Sequence, residues 1–101
     1  QATGAELGAC YFAALLAETL ARQGKLEPAV AAMNDAFELL ERTQDRWCAA
    51  ELHRIHGELL LQQGQTQVAK AAFETGLQIA QEQGAGWWEE RCRQALARLN
   101  G

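Results

Sequence analysis

Apolar residues recur along the chain at roughly the three-to-four-residue spacing of one helix face, and no stretch of useful length alternates with period two. Phe12, Leu15, Leu16, Thr19 and Leu20 form a first stripe. Gly24 ends it, as a glycine just beyond the last helical turn commonly does. Pro28 suits the first turn of a second helix, where its missing N–H costs nothing, and Ala29, Met33, Ala36, Phe37 and Leu40 supply the inward face. Asp45 suits the N-cap of a third helix, which runs through Leu52, Ile55, Leu59 and Leu60 to Gly64. Thr66 starts a fourth, with Ala69, Phe73, Leu77 and Ala80 inward. Gly84 and Gly86 break the chain again, and Trp87 to about Leu99 reads as a fifth. The pattern predicts an all-α fold of antiparallel helix hairpins.

A shift of about 40 residues superposes the chain on itself. It places Leu20 on Leu60, Gly24 on Gly64, Ala29 on Ala69 and Ala32 on Ala72. It also places Glu18 on Glu58, Met33 on Phe73, and Trp47 on Trp87. Hairpins repeated in register stack, each burying its face on the next. The expected organisation is one domain over residues 1–101: repeat one over about 5–44, repeat two over about 45–84, and a half repeat or capping helix over about 86–100. Small residues at Ala17, Gly57, Ala29, Ala69, Ala36 and Gly76 let the axes approach, while Leu60, Phe73, Met33 and Leu77 fill the remaining volume.

Composition narrows the function. The 101 residues carry 9 Lys+Arg against 13 Asp+Glu, a formal net charge of −4. A binder of nucleic acid or anionic membrane normally has the opposite sign, so neither is an expected partner. No apolar run approaches the length of a membrane span. The chain opens on Gln1, which suggests a segment of a longer protein. Cys10, Cys48 and Cys92 are widely spaced and odd in number, a poor disulfide or zinc pattern. They read as buried small hydrophobes of a cytoplasmic protein. The chain has no Ser, no phosphate-binding glycine loop and no nucleophile elbow, so neither enzyme activity nor a cofactor is expected. His53 and His56 sit three apart on the third helix, a spacing that lets two imidazoles reach one metal. No further ligand is nominated by the sequence, and structural histidines are the favoured reading.

Gly57, Leu60, Gly64, Ala69, Phe73 and Gly76 in the second repeat match the spacing of the tetratricopeptide repeat, as do Ala17, Leu20, Gly24, Ala29, Met33 and Ala36 in the first. The chain thus resembles that family over essentially its whole length. It departs in a period longer than the family's ~34 residues and in lacking the proline that commonly closes each repeat. RWCAAELHRIHGELLLQQG from Arg46 and AKAAFETGLQIAQEQGAGWWEERCRQALARL from Ala69 are similar to the C-terminal repeat region of large bacterial regulators. In those proteins a cyclase-like or DNA-binding domain precedes an ATPase module and helical repeats. The resemblance implies a short superhelix, a signalling or transcription-regulating parent, and no catalytic activity in this segment.

It also implies a binding groove lined by the first helix of each repeat. By register the groove takes Tyr11, Glu18 and Arg22 from helix one. It takes Trp47, Glu51, Arg54, Glu58 and Gln62 from helix three, and Trp87, Arg91, Gln94 and Arg98 from helix five. Mixed charge with an aromatic edge suits a protein or peptide ligand, or neighbouring repeats of the parent chain. Trp47 and Trp87 read first as packing residues. Glu18 and Glu58 occupy the position where clamps for a chain-terminal carboxylate carry Asn, which argues against a ligand of that kind. An apolar stripe of Trp88, Cys92, Ala95, Leu96 and Leu99 is expected to lie partly uncovered, as are Leu7 and Tyr11 on helix one. Such surfaces favour homo-association, unless helix five folds back as a cap.

Overall fold

The computed structural model describes the backbone of residues 4–43 and 48–100, and side chains over 10–42 and 48–99. Asp45, Trp47 and the side chain of Leu7 lie outside the described residues. Five helices follow one another: α1 (Gly4–Arg22), α2 (Leu26–Thr43), α3 (Ala49–Gln62), α4 (Thr66–Gln83) and α5 (Gly86–Asn100). Among the described residues there is no strand, and the fold is all-α as the periodicity predicts. Pro28 falls in the first turn of α2, and Thr66 opens α4.

The turn chemistry repeats at equal register. Gly24 and Gly64 each hold φ +80, and Gly84 holds +66, a left-handed conformation that costs glycine little. After α1 the Lys25 N–H donates to Leu20 O at 2.9 Å and the Gly24 N–H to Ala21 O at 3.0 Å. After α3 the Gln65 N–H donates to Leu60 O at 2.9 Å and the Gly64 N–H to Leu61 O at 3.0 Å. After α4 the Ala85 N–H donates to Ala80 O at 2.9 Å. These are the paired bonds of a glycine-terminated helix, which satisfy carbonyls the last turn would otherwise leave open.

Two compact units are present, Gln1–Cys48 and Ala49–Gly101. In the first, α1 packs against α2. Cys10, Ala14, Ala17 and Ala21 are buried on α1, and Ala29, Ala32, Met33, Ala36 and Leu40 on α2. The stripe predicted for α1 is therefore corrected. Phe12 is 72% and Leu16 53% exposed, Thr19 is exposed, and Leu15 and Leu20 are only half-buried. The face of α1 that is buried is the one made of small residues, which let helix axes approach closely. The hydrophobic count alone points α1 the wrong way.

In the second unit α4 packs against both α3 and α5, and α3 also meets α5. Leu60, Ala69, Ala72, Phe73 and Ala95 form its core, with Leu61, Leu96 and Leu99 packed against them. Two glycines set the spacing. A Cβ on Gly57 would fall 2.5 Å from Phe73 Cε1. One on Gly76 would meet Ala50 O at 2.9 Å and Cys92 Sγ at 3.0 Å, so α3 and α5 both press on α4 there. The expected uncovered stripe on α5 is also corrected. Cys92 and Ala95 are buried, and Leu96 and Leu99 join the α3–α4 core, because a 15-residue helix turns its apolar face onto the preceding hairpin. Among the described side chains of α1 the exposed large apolar ones are Phe12 and Leu16, whereas Tyr11 is half-buried.

Candidate functional site

Helix geometry places Glu51, Arg54 and Glu58 on one face of α3, at i, i+3 and i+7. Arg54 donates Nε–H to Glu51 Oε1 and Nη2–H to Glu51 Oε2, each at 2.8 Å. This is the two-pronged guanidinium–carboxylate arrangement. Its Nη1 also reaches Glu58 Oε2 at 3.4 Å. Glu51 is 2% and Arg54 5% exposed. Both were expected to line an open groove. The structure instead buries them, because each charge removes the other's need for water.

From α5, Arg91 Nη2 lies 3.4 Å from Glu51 Oε2, and Arg98 Nη2 pairs with Glu58 Oε2. These partners stand at equal register in successive repeats: the shift that places Trp47 on Trp87 also places Glu51 on Arg91 and Glu58 on Arg98. Opposite charges at matching positions of neighbouring helices were the available sequence signal for this network. Arg91 lies over the Trp87 ring, 5.0 Å from its centroid, within cation–π range. Trp87 is 60% exposed, and the Trp88 ring stands 4.4 Å from it, tilted. Arg91 Nε is buried without a hydrogen-bond partner. Gln94 is exposed and donates to Glu90 at 3.4 Å, while Gln62 is exposed at the end of α3.

The remaining groove candidates belong to the first unit. Arg22 pairs with Glu18 at 3.4 Å, one turn apart on α1, and Tyr11 is half-buried. The structure thus gathers Glu51, Arg54, Glu58, Trp87, Arg91 and Arg98 into one α3–α5 face.

His53 and His56 are half-buried, and His53 Cβ lies at the α3–α4 seam beside Gly76. Among the described residues no group of three or more His, Cys, Asp or Glu side chains is arranged to hold a metal ion. Burial holds His56 below its ordinary pKa of 6.5. The unfolded chain therefore takes up this proton before the folded chain does. The His56 contribution to stability is complete above about pH 6.5 and is lost as the pH falls through the lowered folded value. Melting at pH 7.5 and 5.5 is expected to show a lower midpoint at the acid pH, with a smaller drop in His56→Gln.

Cys10, Cys48 and Cys92 are free and buried. Burial pushes the Cys92 thiol up to about 11, against the pull of the Arg54 charge. Such a thiol holds little of the reactive thiolate near neutrality. Labelling of the native chain with a thiol-specific disulfide reagent is expected to spare Cys92 until denaturant is added, as read by mass spectrometry of its peptide.

Among the described residues no helix is long and apolar enough to cross a membrane. No protein-family model matches the chain, and no solved structure matches it. An uncharacterised protein of Rhizobium meliloti (strain 1021) is 33% identical over 99 residues, an alignment covering 93% of this chain and 10% of that protein. The chain thus spans about a tenth of the length of the curated relative it matches.

Proposed function

We propose that this chain is a non-catalytic protein-interaction module of the tetratricopeptide-repeat kind, working within a larger bacterial signalling or transcription regulator. The observation that carries the reading is the repetition of one hairpin design. The same glycine turn, with the same backbone bonds, follows α1 and α3 at equal register. Repeats of this kind offer extended faces rather than reaction centres, and the α3–α5 face presents an exposed aromatic beside guanidinium groups, types enriched where proteins meet. A segment matching a tenth of a longer relative is in keeping with a module inside a larger protein, and a cytoplasmic setting agrees with three free, buried cysteines.

The rival reading is a spacer whose faces only pack against further repeats of its parent. Selection from a random dodecapeptide library displayed on phage separates the two. Recovery of related sequences on the immobilised chain supports the interaction module, and absence of enrichment favours the spacer. Metal binding through His53 and His56 is tested by elemental analysis of the purified chain, where no stoichiometric metal would exclude it.

A further inference from the structure

Within the ion-pair network that joins α3 and α5 the charges do not cancel. Three guanidinium groups, Arg54, Arg91 and Arg98, face two carboxylates, Glu51 and Glu58, in a chain whose overall charge is −4. Both oxygens of Glu51 already accept from Arg54 at 2.8 Å. Arg91 therefore obtains only a long contact of 3.4 Å to one of them, and its Nε has no acceptor. The Nε itself is enclosed, but the Arg91 side chain is 34% exposed and a guanidinium has five N–H donors, so Arg91 is the member of the network that an incoming carboxylate can still reach. It is held in place by the ring of Trp87, whose outer surface is exposed. Arg98 is exposed two turns further along the same stripe, about 10 Å away along the helix. Gln94 lies between them, with the Glu90 carboxylate on its flank.

Read from sequence, Glu58 argues against an acidic chain end held by its terminal carboxylate. The structure removes that objection, because Glu58 is held by Arg54 and Arg98 and Glu51 by Arg54 and Arg91. We infer that the stripe Trp87, Arg91, Gln94 and Arg98 on α5 docks an acidic peptide segment, with internal Asp or Glu side chains completing Arg91 and Arg98 and an apolar side chain resting on Trp87. The inference rests on the interaction-module reading and specifies its partner by charge complementarity.

The test uses three fluorescein-labelled alanine-based peptides with blocked termini. They carry Glu, Gln or Lys at two positions seven residues apart, with a Leu four residues before the first. Fluorescence anisotropy with the full chain is expected to show binding of the Glu peptide, weakened by added salt. Arg91→Gln is expected to weaken that binding by about tenfold or more, the scale of a lost charge-assisted hydrogen bond. Lys70→Gln, the same charge change at an exposed site on α4, is expected to leave it unchanged. Arg98→Gln removes a more exposed partner, so it keeps the test open if Arg91→Gln does not fold, and it too is expected to weaken binding. Equal loss in Lys70→Gln, no loss in either Arg variant, or tighter binding of the Gln or Lys peptide overturns the inference. No binding of any of the three also overturns it. If the phage library still yields related sequences in that case, the module reading survives, and if it yields none, both fail.

Discussion

Glu51→Leu is expected to destabilise the chain by about 3–5 kcal/mol, the cost of leaving one member of a buried ion pair without its partner. Arg54 would lose both of its 2.8 Å bonds while 5% exposed, and its contact to Glu58 is longer, at 3.4 Å. Solvation cannot replace what is lost, because the side chain is out of reach of water. The double variant Glu51→Leu/Arg54→Met removes both charges and keeps comparable volume, so it is expected to recover most of the loss. Urea unfolding of the two variants, compared by midpoint at equal slope, checks this. Equal instability of single and double variants would show that the pair does not act as a pair. By contrast, Arg22→Gln breaks an exposed pair on α1 and is expected to change stability by less than about 1 kcal/mol.

Gly57→Ala is expected to destabilise where helix propensity alone predicts a gain of roughly 1 kcal/mol. The added Cβ would stand 2.5 Å from Phe73 Cε1 and 2.7 Å from Cδ1. Phe73 is fully buried in the core of the second unit, so its ring has nowhere to withdraw. Overpacking of this kind costs about 1–3 kcal/mol. Phe73→Leu creates space and weakens the core by itself, yet in the Gly57→Ala background it is expected to cost much less. Thermal melts of the four proteins in that cycle give the coupling, about 0.5–3 kcal/mol for residues in direct contact. Additive effects would mean that the ring and the glycine do not share this space. The first hairpin carries Ala17 and Met33, both buried, at the equivalent positions. A Cβ is present where the opposing residue is a flexible thioether rather than a rigid ring.

Glycine placement made the helix boundaries legible. Gly24, Gly64 and Gly84 can take the left-handed conformation, so the local sequence dictates where helices stop whatever packs around them. The buried face of α4 was legible for a similar reason: of the four residues placed inward by helical spacing, Ala69, Phe73 and Ala80 are buried and Leu77 is half-buried. On α1 the same reasoning misplaces Phe12 and Leu16. Alanine is a weak hydrophobic signal in a pattern, yet it permits the closest approach between helices. Which of two faces is buried then depends on the partner helix.

The candidate site shows the same division. Its residue types and shared face were readable from the repeat, because helical periodicity and a constant offset put Glu51, Arg54, Glu58, Trp87, Arg91 and Arg98 at matching positions. Local sequence by itself determined the helices, their ends and the repeat that aligns them, since these follow from backbone preference and short-range spacing. Only the tertiary structure decided that Glu51 and Arg54 are buried as a pair while Trp87 stays exposed. It alone gave α5 a covered apolar face and left Arg91 short of an acceptor. Those outcomes depend on the meeting of α3, α4 and α5, where one carboxylate has two claimants and distance settles which of them it satisfies.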